Sequence, residues 1–509
     1  MLRSKKIATI ISYINLFASL LSTVFFIPFL LKRVGDDYGV FSFSESIISW
    51  LTMLSTTFAS CYVRFATIEE RKTGEQPKQS NYIFLLLLIG VSVIALLSGL
   101  IIFLLFRTNV FNLSSFTIAE RDLFYLVFLL AIIHSSIEII LSFFSLYTTY
   151  SRYFVVVRGA LLINAILYPL LSVIALFSGG RMLLVIIIMY AVKITLNIGV
   201  MIFAFVKLHV KFKKISFSEC KPLLAQIIVF SSYILINTIV ETCNISLDRI
   251  LLGAFFGAHL VAIYQLGMTY TTYINSISCA LTNNFIPEIH KDAQDGNLES
   301  VNNLFAKISS IQFMVLFMVV GGYLACGYDF TVLWIGSDNI QVFFIAASLM
   351  IAFLFDYSTS ISIEYQRSVN KHKFRAIIYL ISLLFNFGIT ISLLVFCKWI
   401  DPIVSCLIGT IFSEIVFKTI ILSLYNSIQL KMDYKVVIFR FIIVALLCFV
   451  SFSASSGFSK IILSFLHVGH FYSFLIRGFS FVLIYTPTII YISKKVFKLD
   501  LFTILFKRK

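Results

Sequence analysis

Charged side chains within long apolar runs are the residues of this sequence best suited to do chemistry. A charge at the centre of a bilayer costs about 2.5–3.5 kcal/mol, so each one needs a partner on another helix or a wet cavity. Each is therefore a candidate for binding a polar ligand or an ion. The residues are Glu45, Arg64, Glu138, Lys193, Glu241, Asp248, Arg249, Asp356, Glu414, Lys418 and Arg477.

One pair of neighbouring titratable residues indicates ion coupling. His134 and Glu138 lie four apart in the middle of an apolar segment, so they share a helix face and could exchange a proton near neutral pH. Asp356 lies at a similar depth in a later segment, and Glu45 is a further acid within a predicted span. We therefore predict His134, Glu138, Asp356 and Glu45 as ion-coupling residues. The alternative is that each is hydrogen-bonded to a neighbouring helix and only fixes packing.

The cationic candidates favour binding of an anion. Lys193 has no acid three or four residues away, so its charge must be met from another helix or by an anion in a cavity. Asp248 and Arg249 close the predicted seventh span on its outer side, where they could hold two halves together or contact an anionic ligand. By contrast, Glu414 and Lys418 lie four apart and favour a structural ion pair. Arg64 and Arg477 lie near predicted helix ends and could extend to the headgroups.

The composition is that of a membrane protein. Of 509 residues, 60% are hydrophobic and 13% charged, and the mean hydropathy is +0.98, which excludes a soluble enzyme. The longest polar stretch, 285–303, could not bury the core of a separate domain. Continuous apolar runs without alternation exclude a β-barrel. No catalytic motif, metal-ligand spacing or cofactor-binding motif is present, so we predict neither an enzyme nor a cofactor.

The apolar runs predict an all-α, polytopic membrane protein with about 14 transmembrane helices. Most Lys and Arg residues fall in alternate loops on the side of the N-terminus, which predicts that both termini are cytoplasmic. The predicted spans are 7–31, 39–67, 82–106, 123–148, 154–178, 182–206, 222–248, 255–284, 304–328, 342–363, 376–397, 403–425, 436–458 and 470–493.

An internal repeat divides the chain. Residues 35–74 (GDDYGVFS to ERKTGE) resemble residues 257–296 (GAHLVAIY to KDAQDGN). The first twelve helices are therefore predicted to form two parallel six-helix repeats, 1–206 and 207–425. Residues 426–509 supply two additional C-terminal helices and a basic tail. Two such bundles that rock about a central cavity would permit alternating access.

Several short segments carry a family resemblance across nearly the whole chain. In their order and spacing they resemble the Wzx-like polysaccharide repeat-unit flippases of the MATE-related (MOP) transporter superfamily. The segments are PFLLKRVGDDYGVFSF (28–43), CYVRFA (61–66), NISLDRILLG (244–253), NFIPEIHKDAQDGNLESV (284–301), VLWIG (332–336), NKHKFRAIIYLISLLFNFGI (370–389) and LIGTIFSEI (407–415).

The resemblance implies a flippase that moves undecaprenyl-diphosphate-linked oligosaccharides across the bacterial plasma (inner) membrane, for O-antigen, capsule or related polymers. It implies a cationic cavity and ion-gradient coupling. The resemblance in CYVRFA and NISLDRILLG implies that Arg64, Asp248 and Arg249 contact the substrate. Together with Lys193, they form the predicted substrate-binding set. The segment 57–60 (TFAS) departs from the family's small, glycine-rich pattern before that first arginine. The implied partners are the lipid-linked oligosaccharide, membrane lipids, and a polymerase and chain-length regulator; nucleic acid is not among them.

Two alternatives remain open from the sequence. A cation-coupled multidrug exporter of the same superfamily would share the fold but usually has twelve helices. A membrane glycosyltransferase or polymerase of the same pathway would generally need a large outer loop bearing catalytic acids, whereas the outer loop 107–122 is short.

Overall fold

The computed structural model describes residues 2–111, 113–214, 217–283, 285–369, 371, 373–466, 469–497 and 499. Every regular element among these residues is helical. This agrees with the all-α prediction, because a helix satisfies its backbone hydrogen bonds within one segment, as a lipid environment requires. Most of the predicted C-terminal basic tail lies outside the described residues. The chain forms two compact units, unit 1 (Met1–Ala262) and unit 2 (Ile263–Lys509), and each is described by itself.

Unit 1 is a bundle of long helices. α2 is its central element, because it packs against α3, α4 and α7, while α4 also packs against α6, and α1 against α5. Aromatic side chains fill the space between these helices, and the buried Tyr62 hydroxyl donates a 2.6 Å hydrogen bond to Asn81. The helices are α1 (Leu2–Val34), α2 (Asp37–Thr73), α3 (Lys78–Arg107), α4 (Ile118–Tyr150), α5 (Phe154–Phe177), α6 (Met182–Val206) and α7 (Phe217–Phe256).

Unit 2 is built around α10, which packs against α11, α16 and α17. A buried amide, Gln312 of α10, donates hydrogen bonds to Ser278 and Thr282, so polar contacts also fix its packing. The helices are α8 (Ala258–Thr282, which begins in unit 1), α9 (Ile286–Gln294), α10 (Leu298–Ile335), α11 (Gln341–Ser358), α12 (Ile361–Ser368), α13 (Lys373–Phe396), α14 (Pro402–Ser413), α15 (Leu422–Gln429), α16 (Tyr434–Leu466) and α17 (His470–Lys495). A 3₁₀ turn (Ser337–Asn339) precedes α11, and a π-helical segment (Glu414–Ile421) joins α14 to α15.

The chain is a multi-pass membrane protein. Within the described residues twelve helices are long and apolar enough to cross a bilayer. The pair Lys221–Ser232 and Ile234–Phe256, bent by 44° within α7, makes a thirteenth if it is one span. The predicted eighth span, 255–284, corresponds to α8, which is long enough but carries many Thr, Tyr and Ser side chains. The predicted total of fourteen is therefore not confirmed.

The two stretches matched by the internal repeat share a backbone feature. Gly35 and Gly257 each precede a helix with positive φ (+54° and +90°), and Gly74 and Gly296 each follow one with positive φ (+72° and +69°). Only glycine adopts this conformation without strain. In the sequence, unit 1 extends to residue 262 and so includes α7, which packs along α2. The division by sequence symmetry into 1–206, 207–425 and 426–509 stays a prediction.

Substitution of Gly39 by alanine is expected to destabilise unit 1. A Cβ atom at Gly39 would lie 1.9 Å from the carbonyl oxygen of Ala258, so the first turn of α2 would have to move away from α8. Overpacking of this kind costs about 1–3 kcal/mol. The matched control is Gly90→Ala in α3, where a Cβ meets no atom within 4 Å and the loss of a helix-interior glycine favours folding. Thermal unfolding of the two purified variants measures the difference, and equal melting temperatures would contradict the contact.

Candidate functional site

Four helices of unit 1 bring polar side chains to one place inside the bundle. The polar cluster comprises Glu45 of α2, His134 and Glu138 of α4, Tyr190 and Lys193 of α6, and Arg249 of α7. Residues three or four apart lie on one face of a helix, so α4 and α6 each present two of these side chains together. The faces meet because α4 packs against both α2 and α6, and α2 packs against α7.

Glu138 is the centre of the ionic contacts. Its Oε1 lies 2.8 Å from Nζ of Lys193, and its Oε2 lies 3.7 Å from Nε2 of His134. The lysine charge is therefore met from another helix, which was one of the two possibilities left open by the sequence. The Lys193 and Glu138 side chains are 43% and 32% exposed, so the ion pair is not sealed within the protein. Both charges can be reached by a ligand.

Tyr190 links Glu45, the second acid of the polar cluster, to His134 and so to the ion pair of Glu138 and Lys193. Its hydroxyl donates a 2.6 Å hydrogen bond to Oε1 of Glu45, and its ring stacks on the His134 imidazole at 4.0 Å between centroids. Sequence reasoning missed this tyrosine, although its position three residues before Lys193 was a usable signal. The cluster is thus a continuous chain of contacts from Glu45 through Tyr190, His134 and Glu138 to Lys193.

Asp248 and Arg249 do not end their helix, as the sequence predicted. The predicted span ended at residue 248, which placed the two residues at a mouth. The apolar LLGAFF segment continues α7 to Phe256, about 10 Å further, so the predicted end of the helix is corrected and the mouth position stays a prediction. Asp248 is 1% and Arg249 9% exposed. Arg249 lies close enough to Glu45 to interact electrostatically, so it belongs to the polar cluster.

Arg64 does not join the other predicted substrate-binding residues. It lies on α2 nineteen residues beyond Glu45, roughly 28 Å along the helix axis. Its guanidinium lies 4.0 Å from the ring centroid of Phe230 in α7, a cation–π contact. The side chain is exposed, so the charge remains available at the other end of unit 1.

In unit 2, Asp356 of α11 lies beside two residues predicted as a structural pair. Lys418 Nζ is 2.7 Å from Glu414 Oε2, so that ion pair is present. The Asp356 carboxyl group lies within hydrogen-bonding reach of the Glu414 carboxyl group. Asp356 therefore belongs to a separate acidic group, the unit 2 acid pair, which consists of Asp356 and Glu414.

A further polar group in unit 2 was not singled out from the sequence. Asp329 of α10 is 3% exposed, and its carboxylate accepts a 2.8 Å hydrogen bond from Ser473 and lies 2.8 Å from His470 Nδ1 and 3.3 Å from Arg477. These side chains line a cavity of about 490 Å³. Arg477, which the sequence suggested could extend to the headgroups, pairs with Asp329. The feature of the sequence that could have revealed this polar group was an aspartate within the apolar run of α10.

The described residues include no group of three or more His, Cys, Asp or Glu side chains placed to hold a metal ion. The polar cluster offers ion pairs and hydrogen bonds for binding, with two cations and two carboxylates inside a membrane-spanning bundle. Such a site suits a charged or polar ligand that must be bound and released within the membrane.

The fold and the embedded polar cluster define a class, that of polytopic all-α membrane proteins. No family model matches the chain, and no curated protein matches it. A structure of the lipid II flippase MurJ in an inward closed conformation is similar, with a TM-score of 0.66 and 13% identity, covering 98% of this chain and 100% of that one.

Multidrug transporters share the fold over less of the chain. An inward-facing multidrug resistance MATE family transporter of the MOP superfamily has a TM-score of 0.61 and 14% identity, covering 83% of this chain and 99% of its own. A MATE transporter of Vibrio cholerae has a TM-score of 0.57 and 12% identity, covering 85% and 99%. At these identities the likeness shows the fold, which is that of MOP-type transporters.

Proposed function

We propose that this chain is a flippase that moves undecaprenyl-diphosphate-linked oligosaccharide repeat units across the bacterial plasma membrane by alternating access, coupled to an ion gradient. The observation that carries the proposal is the extent of the structural likeness. The lipid II flippase matches 98% of this chain from end to end, whereas the two multidrug transporters, matched over 99% of their own length, cover 83% and 85% of it. This extent of likeness supports a lipid-linked substrate over a drug as the cargo.

The polar cluster supplies the chemistry that an anionic headgroup needs. Lys193 and Arg249 are cations inside the membrane, and a diphosphate carries the opposite charge. Lys193 is neutralised by Glu138 at 2.8 Å, so the substrate competes with Glu138 for the ammonium group. Protonation of Glu138 releases Lys193 to the anion. Proton binding and substrate binding are then thermodynamically linked, as a coupled transporter requires.

The remaining predicted residues take supporting roles in this proposal. Arg64 meets the headgroup near the other end of α2, and Asp248, buried next to Arg249 in the sequence of α7, contributes to substrate binding. His134 and Glu45 share the titration of the cluster through Tyr190, and Asp356 serves coupling in unit 2. Both termini lie in the cytoplasm, and the polymerase and chain-length regulator of the same pathway receive the product on the outer side.

Deletion of the gene is expected to leave repeat units synthesised but untranslocated. Lipid-linked oligosaccharide should accumulate in the cytoplasmic leaflet, and surface polymer should fall to background, because no protein-free route carries a charged, hydrated headgroup across hydrocarbon. Leaflet-specific labelling of the oligosaccharide and staining of surface polymer measure the two effects. Re-expression of the intact chain is the control.

Two other results would contradict the proposal. Unchanged surface polymer, in a strain without a second flippase, would exclude transport of the repeat unit. Unchanged polymer together with increased drug accumulation would favour the multidrug exporter instead, which the shared MATE fold makes the main competitor.

A further inference from the structure

The cavity of about 490 Å³ in unit 2 is lined by residues of α10, α16 and α17. Asp329 lies six residues before the end of α10, and Gly469 and His470 are at the start of α17. The cavity therefore lies near the ends of helices that are long and apolar enough to span a membrane. Its volume is within the range of small-molecule sites, about 300–1,000 Å³.

The acid of this cavity is buried and already bound. The side chain of Asp329 is 5% exposed, and its Oδ2 accepts a 2.8 Å hydrogen bond from Ser473. His470 Nδ1 lies 2.8 Å from Oδ1 and Arg477 lies 3.3 Å from Oδ2. A cationic ligand would have to displace one of these three side chains. The carboxylate instead holds the side chains of α17 in position.

The accessible groups of the cavity are hydrogen-bond donors. The side chains of His470 and Arg477 are 51% and 36% exposed. Arg477 shares Oδ2 of Asp329 with Ser473, so several of the five N–H donors of its guanidinium remain for a ligand. Proton uptake makes both ring nitrogens of His470 donors and adds a second positive charge. The cavity therefore suits an anion.

The first turn of α17 adds backbone donors. Gly469 and His470 line the cavity, and no side chain caps the start of this 26-residue helix. The first N–H groups of a helix have no acceptor within it, and the helix dipole places a partial positive charge there. Helix N-termini of this kind bind phosphate groups. The backbone and the two side chains thus favour the same kind of ligand.

The other helices at the cavity do not oppose an anion. Asp329 is the one acid among the described lining residues, and Cys326, also on α10, interacts electrostatically with both Asp329 and Arg477. On α16, Leu463 and Ser464 line the cavity. Lys460 is exposed and lies one turn earlier on the same face of that helix. It adds positive charge on the side of α16.

Apolar side chains flank the lining residues in the sequence. Ile461 and Phe465 on α16 and Phe471 and Tyr472 on α17 are each more than half exposed. In a membrane protein such side chains contact lipid, and aromatic residues concentrate at the level of the headgroups. A phosphate group attached to an apolar tail would satisfy the cavity and its surroundings together. A lipid is therefore favoured over free phosphate as the source of the anion.

We propose that this cavity is a phosphate-binding site, formed by Arg477, His470 and the first turn of α17, and that the phosphate belongs to the headgroup of an anionic phospholipid. Asp329 is a positioning residue that orients the two side chains. Binding is noncovalent. The site lies within unit 2 and does not depend on the proposed flippase function. Free inorganic phosphate offers the same chemistry, so the experiment has an arm for each source.

The experiment uses the purified full-length protein. One arm titrates inorganic phosphate against chloride at equal ionic strength and follows thermal unfolding, because a ligand that binds the folded state raises the melting temperature. The other compares retention of dioleoylphosphatidylglycerol and dioleoylphosphatidylcholine by native mass spectrometry. The wild type should retain one molecule of the anionic lipid in preference to the zwitterionic one and should be stabilised by it.

Two variants remove the donors. Asp329→Asn combined with Arg477→Gln keeps the net charge of the pair at zero and should weaken binding about tenfold or more. His470→Gln keeps a donor for Asp329 but removes the second ring nitrogen, and should weaken binding severalfold. The matched control is Glu364→Gln with Arg367→Gln, which removes an acid–arginine pair with a 2.6 Å contact elsewhere in unit 2. It should bind as the wild type does.

The two arms separate the outcomes. Loss of the retained anionic lipid in the cavity variants, but not in the control, supports the lipid site. Stabilisation by inorganic phosphate alone, lost in the same variants, supports the phosphate site and overturns the lipid as its source. Equal behaviour of the wild type, the cavity variants and the control in both arms would overturn the site. If the double variant fails to fold, Arg477→Lys, which keeps the ion pair but loses the fork of donors, decides together with His470→Gln.

Discussion

Substitution of Lys193 by alanine is expected to reduce surface polymer roughly ten- to hundredfold at equal protein abundance. A hydrogen bond to a charged group contributes about 1.5–3 kcal/mol, and each 1.4 kcal/mol corresponds to a tenfold change in affinity. Lys193→Arg should retain more function, because it keeps the charge although its planar fork differs in geometry from an ammonium. Arg249→Ala should also reduce polymer, since Arg249 is the second cation of the cluster.

The main complication is that Lys193 also neutralises Glu138. Removing the lysine leaves a carboxylate without its partner at 2.8 Å, which lowers stability as well as binding. The double variant Lys193→Met with Glu138→Gln removes both charges and should restore abundance but not transport. Lys207→Ala, at the exposed end of α6, is the matched control. Equal polymer in the Lys193 and Arg249 variants and wild type, at matched expression, would remove both residues from the site.

The second large effect is expected from Glu138→Gln. This change keeps the shape and much of the hydrogen bonding of the side chain but removes the charge that both Lys193 and His134 contact. If Glu138 titrates during transport, the variant should lose its response to collapse of the ion gradient, or bind substrate without moving it. Reconstituted vesicles, with and without an imposed gradient, measure this response.

A purely structural role of Glu138 makes a different prediction. Abundance in the membrane would then fall, and the surviving protein would keep normal gradient dependence. Glu75→Gln, which changes an exposed loop carboxylate, controls for the chemical change. Unaltered coupling in the Glu138 variant would exclude Glu138 as a coupling residue and leave His134, Glu45 and Asp356 as the remaining predicted ones.

The sequence by itself determined the class of protein and its local pairs. An apolar chain of this length must satisfy its backbone within helices once it is in lipid, so composition was enough to predict an all-α membrane protein. The pairs His134–Glu138 and Glu414–Lys418 were readable because four residues return a helix to the same face. Helix bounds were less secure: α7 continues past Asp248 because apolar residues follow it to Phe256.

Only the tertiary structure decided which helices share their polar residues. Lys193 meets Glu138, Tyr190 meets Glu45, and Asp356 meets Glu414, and each contact joins side chains from different helices. Sequence could not predict these contacts because lipid-facing and protein-facing surfaces of a membrane helix are both apolar. The pattern of hydrophobic residues therefore does not show how a helix is rotated toward its neighbours, and only packing fixes that rotation.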